Sequence, residues 1–267
     1  MAGAAHPLAP PPPPLVEWSD DALNAIFCRV PFLSHGAVCA VCRRICTVLS
    51  SPAFRKERLE SGYAESGVVA AGGEQDDDVI AECWLLVGGR WWPRAPMSGP
   101  RAGACSAVID NVLWVCRGYD GDQWLATVEV YSPATNRWRS LPALNESRCD
   151  AVCGVVGGSL VVAGGFNRGR GDLASAEAYS PAAGRWNHIA PLPHEATGAT
   201  ACVLNGRLFV AGGMGSDRLQ MWDTKKWTLK APMPTMRYGA ASVVHEGKMM
   251  VIGGYVNDEV SNSVILY

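Results

Sequence analysis

A chain of 267 residues, 48% of them hydrophobic, is long enough for a small domain beside a larger one with its own core. A net charge of -2 and a pI near 6.2 provide no basic field of the kind that nucleic acid or an anionic membrane attracts, so neither is expected as a partner. No stretch approaches about 20 apolar residues, and the N-terminus lacks a basic segment followed by an apolar one, which predicts residence in the cytoplasm and/or nucleus and cysteines held as thiols.

Residues 1–14 end in the prolines Pro10 to Pro14 and read as an extended, disordered tail. Residues 15–60 have a helical pattern. Ser19 and Asp20 can cap a helix that places Leu23, Ile26, Phe27 and Val30 on one face before Pro31 stops it. A second helix carries Val38, Val41, Cys42, Ile45, Val48 and Leu49 on one stripe, and Pro52 restarts a third through Phe54 and Leu59. Three short amphipathic helices bury little area alone, so an apolar partner surface is expected. Residues 61–79 read as a connector with an acidic run, Glu74 to Asp78, which is expected to be a solvated loop because consecutive carboxylates do not converge on one ion.

The helical segment carries a resemblance. The run Trp18-Ser-Asp-Asp-Ala-Leu23 with Ile26 to Pro31, then Val41-Cys42-Arg43-Arg44, then Leu49 to Arg55, resembles an F-box. It departs from that family at Trp18-Ser19, where Leu-Pro is usual, and at Ile45, where Trp is usual. The resemblance implies that Trp18, Leu23, Ile26, Phe27, Val30, Pro31, Val41 and Ile45 dock on a Skp-type adaptor and through it on a cullin ligase.

From residue 80 onward the chain repeats itself. Trp91, Trp138, Trp186 and Trp227 are each followed six residues later by Met97, Leu144, Leu192 and Met233, and four residues further by Arg101, Arg148, Ala196 and Arg237. Seventeen residues beyond those stand Gly118, Gly165, Gly213 and Gly254. Inside that interval two apolar strands flank a two-residue turn: Asp110-Asn111, Gly157-Gly158, Asn205-Gly206 or Glu246-Gly247. Such pairs supply the positive φ of a tight hairpin, so the strands are antiparallel neighbours. The second strands are apolar nearly throughout, as a strand buried on both faces must be, and end in Gly-Gly or, in the first copy, Arg117-Gly118. A third strand ends in Tyr131 or Tyr179, and a turn leads to the fourth and its Trp.

Four antiparallel strands per copy, a glycine pair after the second and aromatics on the third and fourth resemble the kelch repeat. The expected fold is mainly β: a kelch-type propeller of about four to five blades, behind a small three-helix F-box domain. The copies divide as 80–92 (partial), 93–138, 139–186, 187–227 and 228–267 (partial), with Val68 to Gly73 as a candidate second strand of the first. Trp84 and Trp91 have the spacing of Tyr179 and Trp186 and are taken as its third and fourth strands. Tyr267 aligns with Tyr131 and Tyr179, one turn and one strand short of a complete copy. Either the early strands close the ring against the last copy or the chain is a piece of a longer propeller, and the second reading is preferred.

Chemistry is sparse. Cys39-x-x-Cys42-x-x-x-Cys46 lacks the second pair that zinc needs, and the five histidines have no nucleophile and acid at recognisable spacing, so no catalytic residue, metal or cofactor is expected. Kelch resemblance places recognition on the loops after the glycine pairs: Tyr119, Phe166, Asn167, Arg168, Met214 and Tyr255, with the repeat arginines Arg101, Arg148 and Arg237 as further target-binding candidates. The expected function is the substrate-recognition subunit of an SCF-type ubiquitin ligase, not itself an enzyme, binding a protein target of unknown identity. The alternatives are a kelch interaction scaffold without a ligase role and a propeller enzyme.

Overall fold

The computed structural model of the protein describes residues 68–76, 78–87, 90–110, 112–132 and 135–267. The proline-rich tail and the segment 15–60, for which helices were expected, lie outside the described residues. All regular structure within the described residues is β, arranged as five main antiparallel sheets that follow one another along the chain, with three two-stranded pairs beside them.

Blade I holds β1 (Val68–Ala71), the short pair β2 (Glu74–Gln75) and β3 (Asp78–Val79), β4 (Cys83–Val87) and β5 (Arg90–Arg94). Blade II holds β6 (Cys105–Ile109), β7 (Val112–Tyr119), β8 (Trp124–Ser132) and β9 (Arg137–Leu141). Blade III has β10 (Val152–Val156), β11 (Ser159–Ala163), the pair β12 (Phe166–Asn167) and β13 (Gly171–Asp172), β14 (Ala176–Ser180) and β15 (Arg185–Ile189). Blade IV has β16 (Thr200–Leu204), β17 (Arg207–Ala211), β18 (Leu219–Trp222) and β19 (Trp227–Lys230). Blade V has β20 (Ala241–His245), β21 (Lys248–Ile252), the pair β22 (Tyr255–Val256) and β23 (Glu259–Val260), and β24 (Val264–Leu266). Blades II, III and IV are four-stranded meanders, and the main sheets of I and V have three strands each among the described residues.

The array begins earlier than residue 80. β1 pairs with β4, and within the segment expected as a connector β2 pairs with β3. The strands of Trp84 and Trp91 are the third and fourth of this blade, as expected, but their register differs from that of Tyr179 and Trp186. Residues 88–89 separate the paired ends Val87 and Arg90, whereas 181–184 separate Ser180 and Arg185, so Trp91 faces Leu86 and Trp84 faces Pro93.

The core lies between blades. Val152, Val161 and Ala176 of blade III pack on Leu208, Val210 and Trp227 of blade IV, and similar clusters join I to II, II to III and IV to V. Each repeat therefore buries its apolar faces only against its neighbours, the pattern of a repeat protein. The repeat residues Met97, Leu144, Leu192 and Met233 are buried in these seams. Inner strands are built from small residues because neighbouring blades crowd there: a Cβ on Gly154 of β10 would stand 2.6 Å from Leu208 Cδ1 of the next blade.

Two polar latches recur. The indole N–H of Trp138, Trp186 and Trp227 donates to the carbonyls of Ala95, Pro142 and Ala190, upstream of its own blade's inner strand, at 2.6, 2.9 and 2.8 Å. The second glycine of each pair donates to a carbonyl leading into the next blade: Gly73 to Arg101, Gly165 to Ala196 and Gly213 to Arg237, each at 2.9 Å. The first glycine must be a glycine, because a Cβ at Gly72, Gly164 or Gly212 would approach that same carbonyl within 2.5, 2.5 and 2.3 Å, and each has positive φ. Turn residues Gly157, Gly158, Asn205, Gly206, Glu246 and Gly247 all have positive φ, as the hairpin reading requires.

Candidate functional site

The connection between second and third strands and the segment leading into each first strand meet at one end of the blades. Backbone bridges tie them there: Ala102 with Tyr119, Cys149 with Phe166, and Tyr238 with Tyr255. Asp150 donates its N–H to Gly103 at 3.2 Å, Gly198 to Asp150 at 2.9 Å and Gly239 to Gly198 at 2.8 Å, linking blades II to V in one chain of amides. This end is thus a rigid platform from which side chains project.

Five of the expected target-binding residues lie on it with at least partial exposure: Tyr119, Phe166, Asn167, Arg168 and Tyr255. Met214, 61% exposed, is the sixth. Between blades II and III, Tyr119 and Trp124 have ring centroids 5.2 Å apart, Phe166 follows at 6.3 Å from Trp124, and the Arg168 guanidinium lies 5.8 Å from the Trp124 centroid. On blade V, Tyr238 and Tyr255 stack at 5.1 Å. Met236, 57% exposed, precedes them. Between blades III and IV, Asp172, His194, Glu195, Thr197, Met214 and Arg218 line a cleft of about 470 Å³.

The loops are pinned by their own side chains. Asp120 accepts the N–H groups of Gln123 and Asp122 at 2.7 and 2.9 Å, which hold its carboxyl below the ordinary carboxylate range. Asn167 donates to the Ser147 carbonyl at 2.7 Å, and the Thr197 hydroxyl donates to Asp172 at 2.7 Å. Burial and a bond to Asp258 raise the Tyr238 phenol above its ordinary value. Preordered aromatic, Met and Arg side chains on an otherwise polar rim have the composition of a protein-binding surface.

The repeat arginines are elsewhere. Arg101, Arg148 and Arg237 are 2%, 0% and 4% exposed and therefore do not belong to the recognition surface. Each braces its own blade. Arg101 binds the Arg117 carbonyl and the Glu129 carboxylate; Arg148 binds the carbonyls of Gly164 and Ser175 with Glu146 and Glu177; Arg237 binds the Gly253 carbonyl with Thr235 and Ser263. A cation carried by a buried loop crossing satisfies strand-end carbonyls that have no ladder partner. The expected adaptor-binding residues Trp18, Leu23, Ile26, Phe27, Val30, Pro31, Val41 and Ile45 lie outside the described residues.

Trp124 and Tyr238 complete the aromatic face without having been expected. Trp124 opens β8 and Tyr238 sits where other blades have Ala102, Cys149 and Thr197, so neither position has a recurring residue to mark it. Among the described residues no group of three or more His, Cys, Asp or Glu is placed to hold a metal ion.

The Kelch motif matches residues 100–145, 147–193 and 236–267. The human influenza virus NS1A-binding protein is 35% identical over 81 residues, which cover 30% of this chain and 13% of that protein. Human kelch-like protein 4 is 36% identical over 69 residues, 26% of this chain and 10% of the relative. Alpha-scruin of Limulus polyphemus is 32% identical over 98 residues, 34% and 10% of the two chains. The chain thus matches only a small part of the length of these relatives. The solved structure of YjhT superposes with a TM-score of 0.55 at 17% identity, covering 76% of this chain and 94% of that one, a likeness of fold alone.

Proposed function

Starting from a chain that carries kelch repeats folded as a five-bladed, all-β propeller, we propose that it is the substrate-recognition subunit of an SCF-type ubiquitin ligase. Kelch repeats suggest a protein-interaction propeller, and the aromatic loop face carries the reading that the ligand is a protein. A relative named for binding the influenza NS1A protein supports the same class of ligand. In this account the segment 15–60 docks its apolar stripes on a Skp-type adaptor, and the loop face holds the target. Catalysis then belongs to other subunits, and the chain works in the cytoplasm and/or nucleus.

Copurification tests the ligase half. The full chain is expected to recover a Skp-type adaptor and a cullin, and to lose both when Leu23, Ile26 and Phe27 are changed together to Asp. Failure to recover the adaptor, where a known F-box protein recovers it, overturns the ligase role and favours an interaction scaffold.

A further inference from the structure

Blade II breaks the glycine rule. Arg117 occupies the position held by Gly72, Gly164, Gly212 and Gly253 in the other blades. It keeps the left-handed backbone of those glycines, at φ +63, which a residue with a Cβ adopts only at a cost. The ladder between β7 and β8 shifts register at this residue. The neighbouring latch is stretched as well: Gly118 to the Arg148 carbonyl is 3.4 Å, against 2.9 Å at the three corresponding contacts. The side chain is 0% exposed, and none of its three guanidinium nitrogens makes a hydrogen bond of normal geometry. Burial, and then the Arg117 charge, pull Arg148 down to about 10. A glycine would remove the backbone strain, the unpartnered buried guanidinium and its push on Arg148.

What Arg117 faces is sulfur. Cys105 of β6 and Cys116 of β7 are opposed across the antiparallel ladder, and Cys153 of β10 donates its thiol to the Ser106 carbonyl at 3.2 Å. Opposed residues of such a pair have Cα atoms about 4.5–5.5 Å apart, inside the span of about 4.4–6.8 Å that a disulfide bridges. Cys105 and Cys116 are 1% and 0% exposed, whereas Cys153 and Ser106 beside them are only partly buried.

We infer that Cys105, Cys116 and Cys153 around Arg117 form a peroxide-sensitive thiol site, with Cys105 as the attacking sulfur and Cys116 as the sulfur that closes a disulfide. Burial alone would push the Cys105 thiol up. Donation from the opposed Cys116 and the adjacent Arg117 charge outweigh it and hold Cys105 below the ordinary thiol range. Cys116 and Cys153 move the opposite way, raised by the neighbouring Cys105 and by burial, and so remain protonated. The thiolate is the nucleophile in such chemistry, and a neighbouring arginine favours it.

The Cys105 thiolate attacks one peroxide oxygen, the O–O bond breaks, and a sulfenic acid and hydroxide result. The Cys116 sulfur then displaces the sulfenic hydroxyl, which leaves as water with the Cys116 proton, and the S–S bond forms. Two electrons pass from the sulfur pair to the peroxide. The bridge would lock β6 to β7 beneath the Tyr119 loop, coupling oxidation to the platform that displays the loop face.

The test uses the reduced full chain, folded at neutral pH, treated with hydrogen peroxide, alkylated and cut with trypsin. The fragment Ala102–Arg117 contains Cys105 and Cys116, and Cys149–Arg168 contains Cys149 and Cys153. The 102–117 fragment is expected to lose two hydrogens while Cys83, whose thiol burial pushes up to about 12, stays reduced. Arg117→Gly, which restores the residue of the other blades and is read in the fragment 102–137 because its cleavage site is lost, is expected to slow the oxidation by about tenfold. A 102–117 fragment that stays dithiol, an Arg117→Gly chain oxidised at the wild-type rate, or a link from 102–117 to 149–168 would each overturn the assignment.

Discussion

Blades III and IV have the same backbone and fill the same buried polar position in different ways. In blade III, Arg148 crosses beneath the loops to Glu177 and Glu146, while Asn145 donates both its backbone and side-chain N–H to Glu177. In blade IV, Ala196 stands in place of the arginine and Gln220 in place of Glu177, and Gln220 exchanges hydrogen bonds with the His194 backbone at 2.9 and 3.2 Å. Loss of the cation goes with loss of the buried anion, so no unpaired charge remains. The comparison teaches that in blades II to IV the repeat arginine and the third-strand carboxylate are present or absent together, whereas in blade V, with Ile265 at the third-strand position, Thr235 and Ser263 satisfy Arg237 instead.

The largest way to break the comparison is to create the state that neither blade tolerates. Arg148→Ala leaves Glu177 buried with only amide donors and Glu146 with Ser175 and the exposed Arg170. It is expected to cost about 3–5 kcal/mol, read from the midpoint of urea unfolding. A loss below about 1 kcal/mol would show that the pair is not a unit.

Adding Glu177→Gln to Arg148→Ala rebuilds the blade IV arrangement inside blade III. About 2 kcal/mol of the loss is expected to return in the same measurement, because an amide can both accept from and donate to the loop backbone where a bare carboxylate cannot. Additive losses would contradict the coupling.

A smaller effect sharpens the contrast with blade II. Gly212→Ala puts a Cβ 2.3 Å from the Arg237 carbonyl at φ +70 and is expected to destabilise by about 1–3 kcal/mol. That figure measures the cost that blade II already bears at Arg117.

Much of this was legible in the sequence, and the reason is periodicity. Trp, the apolar residue after it, the arginine and the glycine pair recur because each makes a contact, within its blade or to the next, that is repeated along the array, which marked the blades, their turns and the loops that carry Tyr119, Phe166, Met214 and Tyr255. Recurrence says that a residue is needed, not which way it points. The kelch resemblance made Arg101, Arg148 and Arg237 target-binding candidates, yet in blades II, III and V each faces inward and braces its own blade. Trp124 and Tyr238 escaped for the opposite reason: side chains of the loop face answer to a ligand and not to the neighbouring blade, so they have no period. Arg117 stood out as a departure from Gly-Gly, but its sulfur surroundings come from β6, β7 and β10, which only the fold brings together.

The central claim, that the loop face holds a protein target, is tested most directly by affinity capture. Intact chain is compared with a Phe166→Ala, Arg168→Ala, Met214→Ala chain, proteasome inhibited throughout, with unfolding midpoints matched first. The predicted result is a set of partners captured by the intact chain and lost from the triple variant, while anything bound through residues 15–60 is retained. An unchanged set of partners on a folded variant would contradict it.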